Sequence, residues 1–320
     1  MVLVPGSFLE PQSPRKVPSN CFPRGGEKSC WRAETRRRAA KRKVLVFSNM
    51  ASRLFEERDH AAFYQKYRFS PCEELQSLVF SYLEEKKVSS LQLAVDVGCG
   101  TGQSTKVLAS RFDKVVGLDV SEAQIEEARQ THHPPNVSYI VCPAEELPFE
   151  DASVDLVTAF VAAHWFDIKR FMKELERVLK PHGCVVLSTY FPGTQVHYKD
   201  SSEKLTEIFR ETWDLIFNYA DERVNLVVNE YKEILEALPF QDKQRVTDII
   251  DKIPLTVAGV IGYIQSSSAY QTFLKLDPEA AKSVLANTEQ RLLEAMGVSS
   301  NDTQLEFWMR NVCVLGCKGS

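Results

Sequence analysis

The sequence has no stretch approaching the roughly 18 unbroken apolar residues of a membrane span, so no helix crossing a bilayer is expected. It has no paired C-x-x-C clusters either. Its eight cysteines stand at 21, 30, 72, 99, 142, 184, 313 and 317, a scatter that argues against a zinc site. Cys99, Cys142 and Cys184 fall in or beside expected strands, where a reduced cysteine packs as a small apolar residue. Cys313 and Cys317 could bridge only if close, and residues four apart along a strand lie about 13 Å apart, too far for a disulfide. This usage points to a reducing compartment. The opening MVLVPGSFLE lacks the basic flank and long apolar core of a signal peptide. A cytoplasmic protein without metal or membrane partner is expected. Histidine is scarce, with six in 320 residues. The adjacent pair His132-His133, followed by two prolines, reads as a solvated loop rather than as metal ligands.

The net charge of −4 conceals an asymmetry. Residues 1–49 carry 11 Lys/Arg against 3 Glu, which leaves 28 basic and 40 acidic residues in 50–320. A body that acidic is a poor non-specific binder of nucleic acid. The leader holds prolines at 5, 11, 14, 18 and 23 and the basic run Arg36–Lys43, without apolar periodicity. It reads as a disordered extension upstream of a domain spanning 50–320, with Met50 as a natural start, and as dispensable for activity. If the run at 36–43 is functional, it would serve as a nuclear localisation or nucleic-acid patch. The 44% hydrophobic content is that of a soluble globular chain, whose length admits one large domain or two modest ones.

The most informative stretch is Leu91–Asp119, LQLAVDVGCGTGQSTKVLASRFDKVVGLD. An apolar run broken by Asp96 meets Gly98, Gly100 and Gly102. Val107, Leu108 and Phe112 then recur at helical spacing, and a second β-branched run ends in Asp119. The pattern predicts strand, glycine turn, helix, strand, with an acid at the tip of the second strand. Glycine lets a ligand approach the backbone where a Cβ would hold it off, and a strand-tip carboxylate can take both hydroxyls of a ribose. The spacing is G-x-G-x-G, not the G-x-G-x-x-G that aims a helix at a pyrophosphate, so a dehydrogenase is disfavoured. Asp96 would repel a phosphate but attract, directly or through water, the cationic end of an amino acid.

These residues resemble the first motif of class I S-adenosylmethionine (SAM) methyltransferases. The resemblance extends over about residues 55–318. Its motifs are specific in 91–190 and looser in a helical lid at about 192–300, with a last strand at about 305–318. It implies an α/β, Rossmann-like fold with a seven-stranded, mostly parallel sheet, and SAM as the cofactor. Two N-terminal helices are expected between Phe55 and Lys87, the second with Pro71 at its start; in the family an N-terminal helix covers the cofactor, and Tyr64 or Tyr67 could close over its methionine end. Ser121 and Gln124 form a capping box. In Pro143–Phe149 the family places an acidic residue beside the adenine, which matches Glu145, and the Ala144 backbone could meet the ring edge. The run Val154–Phe166 ends with Ala162, His164 and Trp165 over the reacting centre, since ligands of open α/β sheets sit beyond the carboxyl ends of the strands. Asp167 caps the next helix, and Pro181-His182-Gly183 turns the chain into a fifth strand, Cys184–Tyr190.

The lid carries Leu205, Ile208, Phe209, Trp213 and Ile216 on one helical face, with Leu235, Leu238, Ile249 and Ile250 marking further helices. The stretch 257–270 resembles the lid motif of the trans-aconitate methyltransferase group, with Ser266-Ser267-Ser268 where that group favours an indole, and it offers Tyr263, Ser266 and Tyr270 as substrate contacts beside Trp165. The Asp/Asn-Pro-Pro-Tyr/Phe signature of enzymes that methylate exocyclic amines is missing. Methyl transfer from a sulfonium needs neither triad nor metal, because alignment supplies much of the acceleration. His164, with an ordinary pKa of about 6.5, is the candidate base or orienting donor. The expected activity is methylation of a small molecule, at a carboxylate or hydroxyl oxygen. An RNA methyltransferase tethered by the basic leader and a non-catalytic SAM-binding partner protein are the alternatives, and the oligomeric state is left open.

Overall fold

Short β-branched runs that alternate with amphipathic helices force a parallel sheet, because each return to the same edge needs a crossover over one face. The computed structural model describes residues 65–88, 91–190 and 193–319. The expected leader, Tyr64, Cys21 and Cys30 lie outside them. In chain order the first half runs α1 (Glu73–Glu85), β1 (Leu93–Val97), α2 (Gln103–Leu108), β2 (Lys114–Asp119), α3 (Glu122–Gln130), β3 (Val137–Val141), β4 (Val154–Phe160), α4 (Ile168–Val178) and β5 (Leu179–Tyr190). The second half runs β6 (Gln195–His197), α5 (Ser202–Ile216), α6 (Asn225–Val228), α7 (Lys232–Ala237), β7 (Asp242–Thr256), α8 (Val257–Gln265), α9 (Ser268–Leu276), α10 (Pro278–Met296) and β8 (Gln304–Cys317). None of the described helices is long and apolar enough to cross a membrane.

The sheet has eight strands rather than the expected seven, ordered β3-β2-β1-β4-β5-β8, with β6 and β7 also on β8. Strands β1 to β5 are parallel. β8 is antiparallel, as expected of the last strand, and its residues 311–317 pair with β5 while residues within the same stretch pair with β7. β5 and β7 therefore take opposite edges of β8, and the three-residue β6 continues the β5 edge at His197–Glu306.

β7 corrects the reading of Ile249 and Ile250 as helix markers: both belong to a 15-residue strand. The register slips between Val246 and Ile249, and this bulge breaks the period-two alternation that would have announced a strand. Pro254 is tolerated there because β7 pairs with β8 alone among the described strands.

Each sheet face has its own core. Leu75, Val79 and Tyr82 of α1, with Leu108 and Ile125, cover Ala94, Val115, Leu156 and Val186 on one side. Phe171, Leu175 and Val178 of α4 cover Val95, Val157 and Val185 on the other. α4 begins where the Asp167 carboxylate accepts the Arg170 N–H at 3.2 Å, and its apolar positions recur every three to four residues, so a single stripe is buried. The lid has a third core, built from Phe209, Ile216, Ile264, Tyr270, Phe273 and Leu292 against Phe307. Burying each such side chain contributes about 1.5–3 kcal/mol.

Candidate active site

The chemistry-bearing residues gather at the carboxyl ends of β1, β2, β4 and β5. Gly98, Gly100 and Gly102 all have positive φ, of +69°, +54° and +81°. Only at Gly100 would a Cβ enter open space, with Gln124 Oε1 3.7 Å away as its sole neighbour. A Cβ on Gly98 would lie 2.4 Å from the Ala162 Cβ, and one on Gly102 would lie 2.2 Å from the Tyr139 hydroxyl. One glycine thus leaves room for a ligand, and two leave room for the protein itself.

Asp119 ends β2 as expected. Its Oδ2 accepts the Gly100 N–H and its Oδ1 the Ser121 N–H, both at 2.9 Å. Burial raises its pKa, and these two N–H groups oppose the rise. Asp96 requires a correction. It is fully buried below the turn, where Oδ2 accepts the Ser104 and Thr105 hydroxyls and Oδ1 the Thr158 hydroxyl, each at 2.8 Å. Both oxygens accept hydroxyls and it lines none of the cavities at the site, so it braces the turn and makes no direct contact with them.

Three cavities meet at Val161, which lines all of them. Its φ of +56° is strained for a β-branched residue, and its N–H donates to the Ser188 carbonyl at 2.7 Å. The first cavity, about 890 Å³ with its open mouth, lies between Gly100, Asp119, Gln124, Ala144, Glu145 and Phe166. Glu145 Oε1 accepts the Asp167 N–H at 2.7 Å, so this carboxylate also ties the cavity wall to the start of α4. Gln124 is 2% exposed, and its Oε1 has no hydrogen-bond partner among the described residues. A buried acceptor without a donor, beside an open Cβ position and a strand-tip carboxylate, fits the hydroxyls of a nucleoside such as SAM.

The second cavity runs from the glycine turn under Arg68–Leu75 to Ser188 and Asn311. Tyr67, expected to cover the cofactor, lines none of the three; its ring packs against Gly262 of α8. The neighbouring Arg68 takes that place, its guanidinium 4.9 Å from the Tyr263 ring centroid and donating to the Tyr190 hydroxyl at 2.8 Å.

The third cavity is the space under the lid, bounded by Arg68, His164, Trp165, Tyr190, Tyr263 and Ser268. Of the four expected substrate contacts, Trp165 and Tyr263 line it. Ser266 and Tyr270 do not. Ser266 donates to the Tyr263 carbonyl at 2.7 Å to finish α8, and Tyr270 is sealed in the lid core, because the turn between α8 and α9 rotates both inward. Ser267 and Ser268 face the cavity in their place. Arg223, fixed by Asp221 at 2.9 Å, stacks on Trp165 at 4.8 Å from the ring centre.

His164 sits in the cavity wall, 6% exposed, with Nδ1 3.0 Å from the Tyr231 hydroxyl. Burial first, then the charges of Arg223 and Arg68, push its pKa down to about 3. The expected base is therefore a neutral imidazole too weak to deprotonate an alcohol or phenol. No described group of three His, Cys, Asp or Glu is placed to hold a metal.

Gln124, Arg68, Val161, Thr189, Tyr190, Arg223 and Tyr231 were absent from the expected site. Gln124 stands inside the motif read for capping, and Arg68 directly follows Tyr67 in the stretch expected over the cofactor. Val161 and Tyr231 owe their places to backbone conformations that leave no mark in a sequence.

A methyltransferase-domain profile matches residues 95–187, the span from β1 to β5 that builds the glycine turn and the strand tips. A Dictyostelium discoideum protein named as a methyltransferase is 32% identical over 242 residues, 76% of this chain and 86% of its own length. An O-methyltransferase of Aspergillus sclerotiorum is 32% identical over 159 residues, 43% of this chain and 60% of its own. A solved structure described as a type II methyltransferase from Anaeromyxobacter dehalogenans superposes with a TM-score of 0.61 at 28% identity, covering 77% of this chain and 97% of that one. With the fold, the glycine turn and the Asp119 strand tip already in place, these likenesses make the chain a member of the class I SAM-dependent methyltransferases.

Proposed function

We propose that this enzyme methylates a small organic acid on a carboxylate oxygen. The observation that carries the reading is the wall of the third cavity. It contains Arg68 and a histidine held near pKa 3, and no Asp or Glu among its described residues. Bound SAM supplies an electrophilic methyl on a sulfonium. An acceptor that must first lose a proton needs a base, and between a pKa of about 3 and a phenol near 10 the transfer is uphill by about 9 kcal/mol. A carboxylate is already an anion. Arg68 supplies the complementary charge, the Tyr190 and Ser268 hydroxyls supply hydrogen bonds, and Trp165, Trp213 and Phe217 exclude water around the acceptor. Orientation then does the rest, since effective molarities of about 10⁵ M or more are available to well-placed reactants. The matched Aspergillus relative is itself named an O-methyltransferase.

The test is a panel of small mono-, di- and tricarboxylic acids, phenols and primary amines incubated with enzyme and methyl-labelled SAM, with products identified by mass spectrometry. Labelled methyl esters are expected. Transfer confined to amines or phenols would overturn the acid reading.

A further inference from the structure

Tyr231 is the buried neighbour of His164 that the sequence reading passed over. Its side chain is fully buried and its hydroxyl lies 3.0 Å from His164 Nδ1. His164 Nδ1 is the only hydrogen-bond partner of that hydroxyl among the described residues, and the buried Thr189 hydroxyl has none. The chain goes to some length to bring it there. Glu230 and Tyr231 are consecutive non-glycine residues in the left-handed region, at φ +57° and +55°. The Glu230 carboxylate is clamped between Arg245, at 2.9 Å, and Arg310. This turn, anchored to β7 and β8, aims Tyr231 inward at the start of α7. Strain of this kind persists only where surrounding contacts overrule it, and it concentrates at functional sites.

We propose that Tyr231 is a positioning residue that donates its phenol proton to Nδ1 of His164, fixing the ring as an Nε2–H donor to the acceptor. The proton accounting supports this direction. Were Nδ1 the donor, the buried phenol proton would have no acceptor, and a buried donor is costly to leave unpaired. The phenol proton then goes to the ring nitrogen beside it, which must be unprotonated to accept. In a neutral imidazole the proton therefore resides on Nε2, the nitrogen left for the cavity that His164 lines. The charged groups that act on the ring are Arg223 and Arg68, which with burial hold it neutral, and Asp221, which opposes them without prevailing, so the donor persists across the working pH range. The proposal rests on the acid-acceptor reading for its purpose, because a fixed N–H orients an anionic oxygen where a lone pair would repel it.

The experiment reads the tautomer directly. The full chain is labelled with ¹⁵N-histidine, and long-range ¹H–¹⁵N spectra are recorded from pH 5 to 8. A His164→Gln variant identifies the His164 signals among the six histidines. The expected wild-type spectrum shows an unprotonated Nδ1 and a protonated Nε2, with no titration. In Tyr231→Phe the two nitrogens should move toward each other as the tautomers mix, while stabilisation by SAM persists. A protonated Nδ1, a ring that titrates near pH 6.5, or a spectrum unmoved by Tyr231→Phe would overturn the assignment. No acceptor is present in this experiment, so its failure is separable from a failure of the acceptor panel.

Discussion

The Asp119 carboxylate accepts the Gly100 N–H at 2.9 Å, so the acid at the tip of β2 also shapes the glycine turn after β1. One residue presents an oxygen to the first cavity and holds the backbone against which a cofactor would lie. Replacing it removes both. Asp119→Ala should weaken SAM about 100-fold or more, since each hydrogen bond to a charged group contributes about 1.5–3 kcal/mol. Calorimetric titration checks this, and an unchanged dissociation constant would refute a role for Asp119 in cofactor binding.

Gly98 and Gly100 should respond differently to the same methyl group. Gly98→Ala drives a Cβ to 2.4 Å from that of Ala162, and overpacking of this kind costs about 1–3 kcal/mol of stability. Gly100→Ala meets nothing closer than 3.7 Å, so its melting temperature should fall less, while its stabilisation by SAM should vanish. Thermal unfolding with and without SAM separates the two. Equal loss of stability in both variants would contradict the geometry.

Gln124 offers a buried acceptor that no described group satisfies. Gln124→Leu keeps the approximate volume and removes the oxygen. The expected result is a SAM affinity lower by about ten-fold, the worth of one hydrogen bond, with little change in the stability of the unliganded protein. A variant that binds SAM as tightly as wild type would show that Oε1 meets no ligand.

Asp96 supplies a pH signature of the buried scaffold. Burial raises its pKa to about 6 from 3.8, with the hydroxyls of Thr105, Ser104 and Thr158 pulling it partly back. The folded chain therefore keeps this proton to a higher pH than the unfolded chain does. The sign follows: Asp96 imposes no penalty below about pH 4, and a penalty develops as the pH rises through 6, reaching about 3 kcal/mol. Asp96→Asn cannot ionise, so its melting temperature relative to wild type should improve between pH 4.5 and pH 8. A difference that is flat or declines over that range would count against a raised pKa. A second outcome is expected from the geometry: SAM affinity should change little, since Asp96 lines no cavity.

Local pattern carried the β1–β5 half of the fold. In Leu91–Asp119 the apolar runs, the glycine spacing and the terminal acid are all short-range features, and β1 and β2 lie where they place them, while α2 stops at Leu108, short of Phe112. The Ser121 and Asp167 caps were legible for the same reason, because a cap is an interaction between residues three apart. Where the pattern was interrupted the reading failed. The bulge before Ile249 hid β7, and Ser266 and Tyr270 were assigned to the cavity from a motif whose helix turn points them inward.

By itself, then, the sequence determined the class of protein and the strand-tip positions of Gly98, Gly100, Asp119, Ala144 and Glu145, because these depend on spacing along one strand–turn–helix unit. Tertiary structure alone decided the roles. It buried Asp96 among three hydroxyls, brought Arg68 and Tyr263 together from distant parts of the chain, and set Tyr231 against His164 across 67 residues. A residue's pKa and hydrogen-bond partners depend on what is packed around it, and in this site those neighbours come from distant parts of the chain.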